Sequence, residues 1–489
     1  MTPFTEGIYS QKDIHDAANA LRETYVSKGY FAAQVIIPSQ VIDEGIIRLN
    51  IYEGTWSENG LHTQNSGQRI SDTHLHSIIQ AQLTPGDPIK TSEIERVILL
   101  SNDLPGISVS STLYPGEETG SANFLLSTHD KNLFSGNIDI DNFGSYYTGE
   151  TRVGATLYVN SPQQYGEQLT LRAVSSGSDS NYGYFKYDAP IGGDGFRLGL
   201  SFDYLDYTLQ KEFENLDAEG DASELRVFGE YPIIRSRHTN LKFETSLIHL
   251  TLEDDNNSGL TSDRDVNGLL LSLSGDHDDD YWASGVTYYA LALTAGDVDI
   301  KGNSQYKSFD RQYSKTSGNF SKLNLYLARL QHIEGALSAF ISFDGQFSSQ
   351  NLDSSQKYFI GGPYSVAGYP IGELSGDDAA LAYMDLRYDL FDLVWGGDTQ
   401  IGLFYSYGWA KLFQETWDNW QAGNQKLNNE ITLQTVGVSV HQSWLDKYVV
   451  RAIAGQQIGD NIGEDPITKE DSDNSDKEFR LWFQGVYYF

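Results

Sequence analysis

Asp139, Asp141, Gly144 and Glu150 occupy positions 1, 3, 6 and 12 of a calcium-loop template, the spacing that gathers oxygen ligands around a hard cation. Position 5 is Phe143, which supplies no oxygen side chain, and the same stretch alternates as a strand does, so a strand is the better reading. Asp471, Asp473 and Ser475 begin a second such loop, but it lacks the Gly and places Trp482 where a bidentate Glu belongs. A solvated loop is expected there. Asp276-His277-Asp278-Asp279-Asp280 could attract a cation loosely, although a charge run is ordinarily a hydrated face. His74 and His76 lie two apart in a segment of helical period and cannot share a face. Glu253 and Asp254 stand where a strand runs into a loop, a poor setting for paired acid–base work. There is no P-loop, Gly-x-Ser-x-Gly or His-Glu-x-x-His segment. These residues predict no catalytic site, no metal site and no cofactor, and nothing argues for an enzyme.

Composition narrows the class further. The 489 residues hold 67 Asp+Glu against 33 Lys+Arg, a formal charge of −34. Such a surface repels phosphate backbones, so no nucleic-acid partner is expected. Without cysteine there is no disulfide, thiolate nucleophile or Cys-based metal site, and an oxidising compartment is tolerated. Aromatics at 13% and 47 Gly, beside only 39% apolar residues, point to β structure rather than to a disordered acidic chain. No stretch approaches the roughly 18–20 apolar residues of a membrane helix. With a mean hydropathy of −0.41 this excludes a helical membrane protein and leaves a membrane barrel open.

The first 130 residues carry a repeated α/β grammar. Residues 1–13 have neither a basic nor an apolar leader region, so no secretory signal is read there. Ser10 and Asp13 have capping-box spacing, and Ile14, Ala17, Ala18, Leu21 and Tyr25 follow at helical period until Gly29. Strands are expected over 31–38 and 46–53. From Trp56 a short strand leads to a helix capped by Ser71/Asp72, with Leu75, Ile78, Ile79 and Leu83 on one face and Pro85-Gly86 as its stop. Ser92 and Glu95 open another helix, and strands at 107–113 and 122–127 complete the unit. The second copy reads β-α-α-β-β; the first reads α-β-β, as if its leading β-α were missing. That pattern predicts natural sequence upstream of Met1, since a start there would leave the first sheet an unpaired edge.

After Asp130 the period changes to two. About 16 alternating segments are expected, near 133–142, 149–159, 166–176, 180–190, 195–208, 221–234, 240–252, 263–275, 283–296, 317–330, 336–348, 377–391, 398–411, 428–442, 446–458 and 477–489, with no helical segment among them. Connectors alternate short, as at 191–194 and 331–335, with long, as at 209–220, 297–316, 349–376 and 459–476. A soluble sandwich or propeller would also alternate, but with connectors of similar length. An outer-membrane barrel explains the loop asymmetry, the even strand number, the Tyr and Trp at strand ends such as Tyr281-Trp282, and the aromatic terminal residue Phe489. The expected fold is mainly β: a 16-stranded transmembrane antiparallel barrel over 131–489, preceded by modules at 1–54 and 55–130.

The connector 349–376 contains Gly361-Gly362-Pro363-Tyr364-Ser365-Val366-Ala367-Gly368-Tyr369-Pro370, a density of Gly and Pro that suits a compact loop with a defined tip. An ordinary surface loop would read similarly. In context, however, the chain resembles the outer-membrane transporters of two-partner secretion, of the haemolysin secretion/activation type, within the Omp85 superfamily. Lys28-Gly29-Tyr30, Pro38-Ser39-Gln40 and Gly45, then Asn102-Asp103-Leu104-Pro105-Gly106 and Leu113-Tyr114-Pro115-Gly116, are similar to the family's two periplasmic POTRA modules. Asn142-Phe143-Gly144, Thr148-Gly149 and Asn160-Ser161-Pro162 are similar to its first barrel strands. The loop resembles the family's lumen-inserted loop, through Gly362, Pro363, Val366, Ala367, Gly368 and Tyr369.

One departure stands out. The family carries Arg at the loop tip, in Val-Arg-Gly-Tyr, and this chain has Ala367. The wall motif Phe-x-Asp-x-Gly that meets it is matched by Phe404, Ser406 and Gly408, so the Asp is Ser406. Both halves of the pair are gone together, the outcome electrostatics favours, because a lone enclosed charge costs several kcal/mol. Asp385, Arg387 and Asp389 fall on the polar face of the 377–391 segment and are expected in the lumen.

The resemblance implies a protein of the Gram-negative outer membrane with its POTRA modules in the periplasm. It implies export of one large β-helical exoprotein client to the cell surface, with outer-membrane lipid and the barrel-assembly machinery as further partners. An extended client would pair with the POTRA edge strand at Ile107, Val109, Ser111 and Leu113 by β-augmentation. The alternatives are an assembly factor that inserts other outer-membrane proteins, and a passive diffusion channel.

Overall fold

The computed structural model describes residues 10–489 apart from 43, 44, 178, 258–261, 395, 422–426, 462 and 466. Its N-terminal unit opens with α1 (Gln11–Ser27), where Ser10 and Asp13 form the expected reciprocal cap. β1 (Gln34–Ile36) pairs antiparallel with β2 (Asn50–Tyr52), so both strands are much shorter than the sequence suggests. Pro38 has no N–H to give a ladder, and beyond it the Gln40 side chain takes over. Its Nε2 donates to Arg48 O and its Oε1 accepts from Arg48 N, both at 2.8 Å.

The second unit comprises β3 (Thr55–Asn65), α2 (Asp72–Gln82), α3 (Thr91–Asn102), β4 (Ile107–Pro115) and β5 (Ser121–Asp130). Its sheet has the order β3-β5-β4, with β3 parallel and β4 antiparallel to the central strand. The leading strand is 11 residues long rather than short, because a register shift between Trp56 and Leu61 interrupts its alternation. α3 starts one residue before Ser92 and has no side-chain cap. Both helices lay their apolar faces on the sheet, burying Trp56, Leu75, Ile79, Val97, Phe124 and Leu126. At about 1.5–3 kcal/mol per fully buried large side chain, this core is enough to hold a small layer together.

The remaining strands are β6 (Phe134–Asp141), β7 (Arg152–Asn160), β8 (Gln168–Ser175), β9 (Ser180–Pro190), β10 (Arg197–Thr208), β11 (Glu219–Arg235), β12 (Thr239–Asp255), β13 (Ser262–Asp279), β14 (Gly285–Gly302), β15 (Gly318–Glu334), β16 (Leu337–Ser348), β17 (Tyr358–Ile360), β18 (Leu374–Gly376), β19 (Asp378–Val394), β20 (Gly397–Lys411), β21 (Glu430–Trp444), β22 (Tyr448–Gln457) and β23 (Phe479–Tyr488). All of them except β17 and β18 form one closed barrel, and every one of the 16 expected segments is a barrel strand. β23 returns to β6 through Gln484–Asp141 to Tyr488–Asn137, so no edge is left in the ring. β13 and β14 run further than expected, because pairing continues beyond the apolar band into Asp297, Asp299 and Lys301.

The barrel is apolar on the outside. In β10 Leu200 is 42% exposed while its neighbour Ser201 is 5% exposed, and Leu198, Phe202 and Tyr204 point outward with Leu200. A soluble sandwich would bury that face; a membrane barrel shows it to lipid. Short turns lie at the end that carries the second α/β unit, and long connectors lie at the other. A helix stands where none is expected: α4 (Ser304–Gln312) lies in a long connector, started by Asn303 Oδ1 accepting from Gln305 N at 2.8 Å.

Candidate functional site

The connector between β16 and β19 turns back into the barrel. β17 and β18 pair as a small hairpin, and the chain between them makes two tight turns, Ser365 N to Gly362 O at 3.1 Å and Tyr369 N to Val366 O at 3.0 Å. Gly361 has φ 121°, and a Cβ there would lie 2.1 Å from Pro370 O, so only glycine fits. At the tip Val366 and Tyr369 are 0% exposed and Ala367 is 1% exposed. Val366 packs with Ile360, Leu374, Leu381 and Leu433, while Ala367 joins Phe143, Phe404 and Trp482.

Wall glycines make this approach possible. A Cβ on Gly408 would meet Val366 Cγ2 at 3.0 Å, and one on Gly455 would meet the Ala367 carbonyl carbon at 2.6 Å. The tip is then tied by neutral groups. Trp482 Nε1 donates to Ala367 O at 2.8 Å, Gly368 N donates to Thr435 Oγ1 at 3.0 Å, and Gln457 Nε2 donates to Gly368 O at 3.1 Å. Ser406 is fully buried opposite Thr435 in the β20–β21 ladder, and among the described residues its Oγ has no hydrogen-bond partner. The structure thus brings Ala367, Phe404 and Gly408 to one place and sets Ser406 one strand from the tip. Trp482, Thr435, Gln457 and Gly455 were not singled out from the sequence, although Trp482 stands out there as an aromatic on the polar face of its strand.

Below the tip the wall alternates in sign. Arg387 Nε donates to Asp385 Oδ2 at 2.7 Å and the guanidinium lies 4.5 Å from the Phe340 ring centroid. Asp389 stands apart from this pair and accepts from Gln400 Nε2 at 2.8 Å. Asp139 and Asp141 are strand residues paired with Arg172 at 3.0 Å and Arg152 at 2.9 Å. Asp471 and Asp473 are buried rather than solvated, because Arg480 bonds both. The lumen wall thus carries both signs of charge.

The second unit seats against the short-turn end of the barrel. Arg235 bonds Asp103 at 2.7 and 2.8 Å, Arg96 donates to Pro232 O at 3.0 Å, and Gln82 donates to Asp194 at 2.8 Å. Burial would raise the Asp194 carboxyl, but hydrogen bonds from Tyr231, Gln82 and Arg96 outweigh it and hold it below the usual range. The turn holding Gly193 touches α2 so closely that a Cβ would lie 2.1 Å from Ser77 O. Beside this joint a cavity of about 600 Å³ is lined by His74, Asp188, Arg197 and Lys242 among others. Burial, with Arg197 adding to it, lowers the His74 pKa from its ordinary 6.5, against an opposing pull from Glu167.

β4 is an edge of its sheet. Gly106 O accepts from Lys131 N, whereas Val109 N donates away from the sheet to Asn102 Oδ1 at 3.0 Å. In an antiparallel ladder this alternation turns the amides of Ile107, Val109, Ser111 and Leu113 outward. Ile107 is buried as a side chain, while Leu113 is exposed.

Comparison with known proteins places these features in context. The family described as haemolysin secretion/activation protein ShlB/FhaC/HecB matches residues 120–424, and the ShlB-type POTRA domain matches residues 1–54. The heme/hemopexin transporter protein HuxB of Haemophilus influenzae (strain 86-028NP) is 26% identical over 483 residues, covering 98% of this chain and 81% of that protein. The outer membrane transporter CdiB of Dickeya dadantii (strain 3937) is 21% identical over 459 residues, covering 89% and 75%. The solved structure of CdiB from Escherichia coli superposes with a TM-score of 0.79 at 15% identity, covering all of this chain and 86% of the other.

Proposed function

This chain belongs to the haemolysin secretion/activation family and is an outer-membrane transporter of a partner exoprotein, and from that premise we propose how it passes its client. The client is a single large, β-helical exoprotein that arrives extended in the periplasm. Residues 55–130 act as a second POTRA module whose β4 edge, at Ile107, Val109, Ser111 and Leu113, lends it sequence-tolerant backbone hydrogen bonds. The client then enters the polar lumen, where the tip around Val366, Ala367, Gly368 and Tyr369 is the obstruction that must leave. Folding of the client outside supplies direction, and no bond is made or broken by the transporter. The outward apolar strand faces meet outer-membrane lipid, and insertion of the barrel itself falls to the cell's barrel-assembly machinery.

The observation that carries this reading is the tip, wholly buried in the lumen yet tied, among the described residues, only by neutral hydrogen bonds. The test is a strain lacking the gene. The neighbouring exoprotein should remain in the periplasm while other outer-membrane proteins keep their normal levels. Exoprotein still appearing on the surface would sink the proposal, and a general loss of outer-membrane proteins would favour the assembly-factor alternative.

A further inference from the structure

The lumen loop is fastened at its tip and at its base by ties of opposite chemical character. Among the described residues its tip has neutral ties only, whereas its base is held by charge, and between them Glu373 accepts from Asn461 Nδ2 and from Ser472 N at 2.9 Å. Arg264 Nη1 bonds Asp353 at 2.9 Å and Ser354 Oγ at 3.0 Å, and its Nη2 reaches Asp254 at 2.7 Å. Lys322 Nζ donates to Gln356 O at 2.9 Å, which also accepts from Gln346 Nε2 at 3.1 Å. Lys357 Nζ bonds Asp377 Oδ1 at 2.7 Å and Leu412 O, and lies 4.2 Å from the Phe413 ring centroid. Asp377 is fully buried and accepts further from Leu352 N at 3.0 Å and Gln414 N at 2.8 Å. Arg264 and Asp353 are each more than nine-tenths buried.

Pulling this base out would strand buried charges, which is far costlier than breaking neutral hydrogen bonds. Between base and tip lie Gly361, Gly362 and Gly372 at φ 121°, 89° and 71°, positions that absorb backbone rotation. We propose that Arg264, Lys322 and Lys357 are positioning residues that keep the base at 352–357 and 377 fixed during transport, so that the moving gate is the segment 361–372 alone. This deepens the reading of the loop as the obstruction and rests on it.

The absence of cysteine gives a clean background for cross-linking. Gly368→Cys with Thr435→Cys locks the tip, since a Cβ at 368 lies 2.7 Å from Thr435 Oγ1. Gly376→Cys with Ala410→Cys locks the base, the two Cβ positions lying 3.0 Å apart and reaching disulfide spacing once the backbone at 376 backs away from Asp378 O, which a Cβ there would otherwise meet at 2.6 Å. Conductance of the purified protein in planar bilayers needs no client, so it decides the matter even if secretion itself were disproved. The oxidised tip lock should be silent and recover at least tenfold in open time with dithiothreitol. The oxidised base lock should conduct like the parent with or without reductant. A base lock that silences the channel reversibly would overturn the proposal. Should the base lock fold poorly, Arg264→Gln with Lys322→Gln decides instead. Freeing the base should raise open time severalfold at unchanged barrel heat-modifiability, and unchanged conductance would overturn the proposal equally.

Discussion

Trp482 donates its indole Nε1–H to the carbonyl oxygen of Ala367 at 2.8 Å, joining the last barrel strand to the tip of the loop that fills the lumen. The ring also packs edge-on against Phe143, 6.2 Å between centroids. Trp482→Phe keeps an aromatic in that packing and removes only the donor. One hydrogen bond is worth about 0.5–1.5 kcal/mol net, so the open-to-closed ratio in bilayer recordings should rise roughly two- to tenfold. An unchanged ratio would mean that the bond does not hold the tip.

The neutral positions Ala367 and Ser406 form a second test. Ala367→Arg alone puts a cation into the pocket of Phe143, Phe404 and Trp482, and Ser406→Asp alone buries a carboxylate; each should cost about 3–5 kcal/mol in thermal or denaturant unfolding. Combined, they should recover most of that loss. Ser406→Ala should be neutral or slightly stabilising, because the Oγ it removes has no hydrogen-bond partner among the described residues. Simple additivity of the two charged variants would show that positions 367 and 406 do not meet.

The barrel was legible because lipid forces a period of two on every spanning strand, as in β10, where Leu198, Leu200 and Phe202 alternate with Arg197, Gly199 and Ser201, and each of the 16 expected segments is a barrel strand. The tip was legible through its Gly and Pro. Its partners were not, since Trp482 and Thr435 reach Ala367 and Gly368 only after closure of the ring brings residues about 70 to 115 apart in sequence together. α4 escaped notice because Ser304–Gln312 is short and mostly polar, its apolar face reduced to Tyr306 and Phe309, and its start is set locally by Asn303. The burial of Asp471 and Asp473 depended on Arg480, whose role a charge run alone does not reveal.

The joint between α2 and the barrel should loosen in acid. The folded pKa of His74 lies below 6.5, depressed by burial and by Arg197 while Glu167 pulls the other way, so the unfolded or undocked chain binds the proton first. Stability from this residue is therefore complete above about pH 6.5 and falls as pH drops through the window beneath it. Thermal unfolding of the parent followed from pH 7.5 to 5 should show that decline, and His74→Gln should flatten it. An equal slope in both proteins would assign the decline to other groups.

The β4 edge yields a test that separates client pairing from folding. Val109 N points away from β5 to Asn102 Oδ1, and two residues on the Ser111 amide points the same way, with no such side-chain acceptor among the described residues. Ser111→Pro removes that outward N–H and adds bulk at the edge, yet takes no rung from the β4–β5 ladder. Ser110→Pro, one residue earlier, removes an inward N–H opposite Ser127 and should unfold the sheet. The expected result is a protein whose second unit melts within about 1 kcal/mol of the parent while surface exoprotein falls severalfold for Ser111→Pro. Full secretion by a folded Ser111→Pro protein would remove β4 from the client's path and direct attention to the opposite edge of the same sheet, β3.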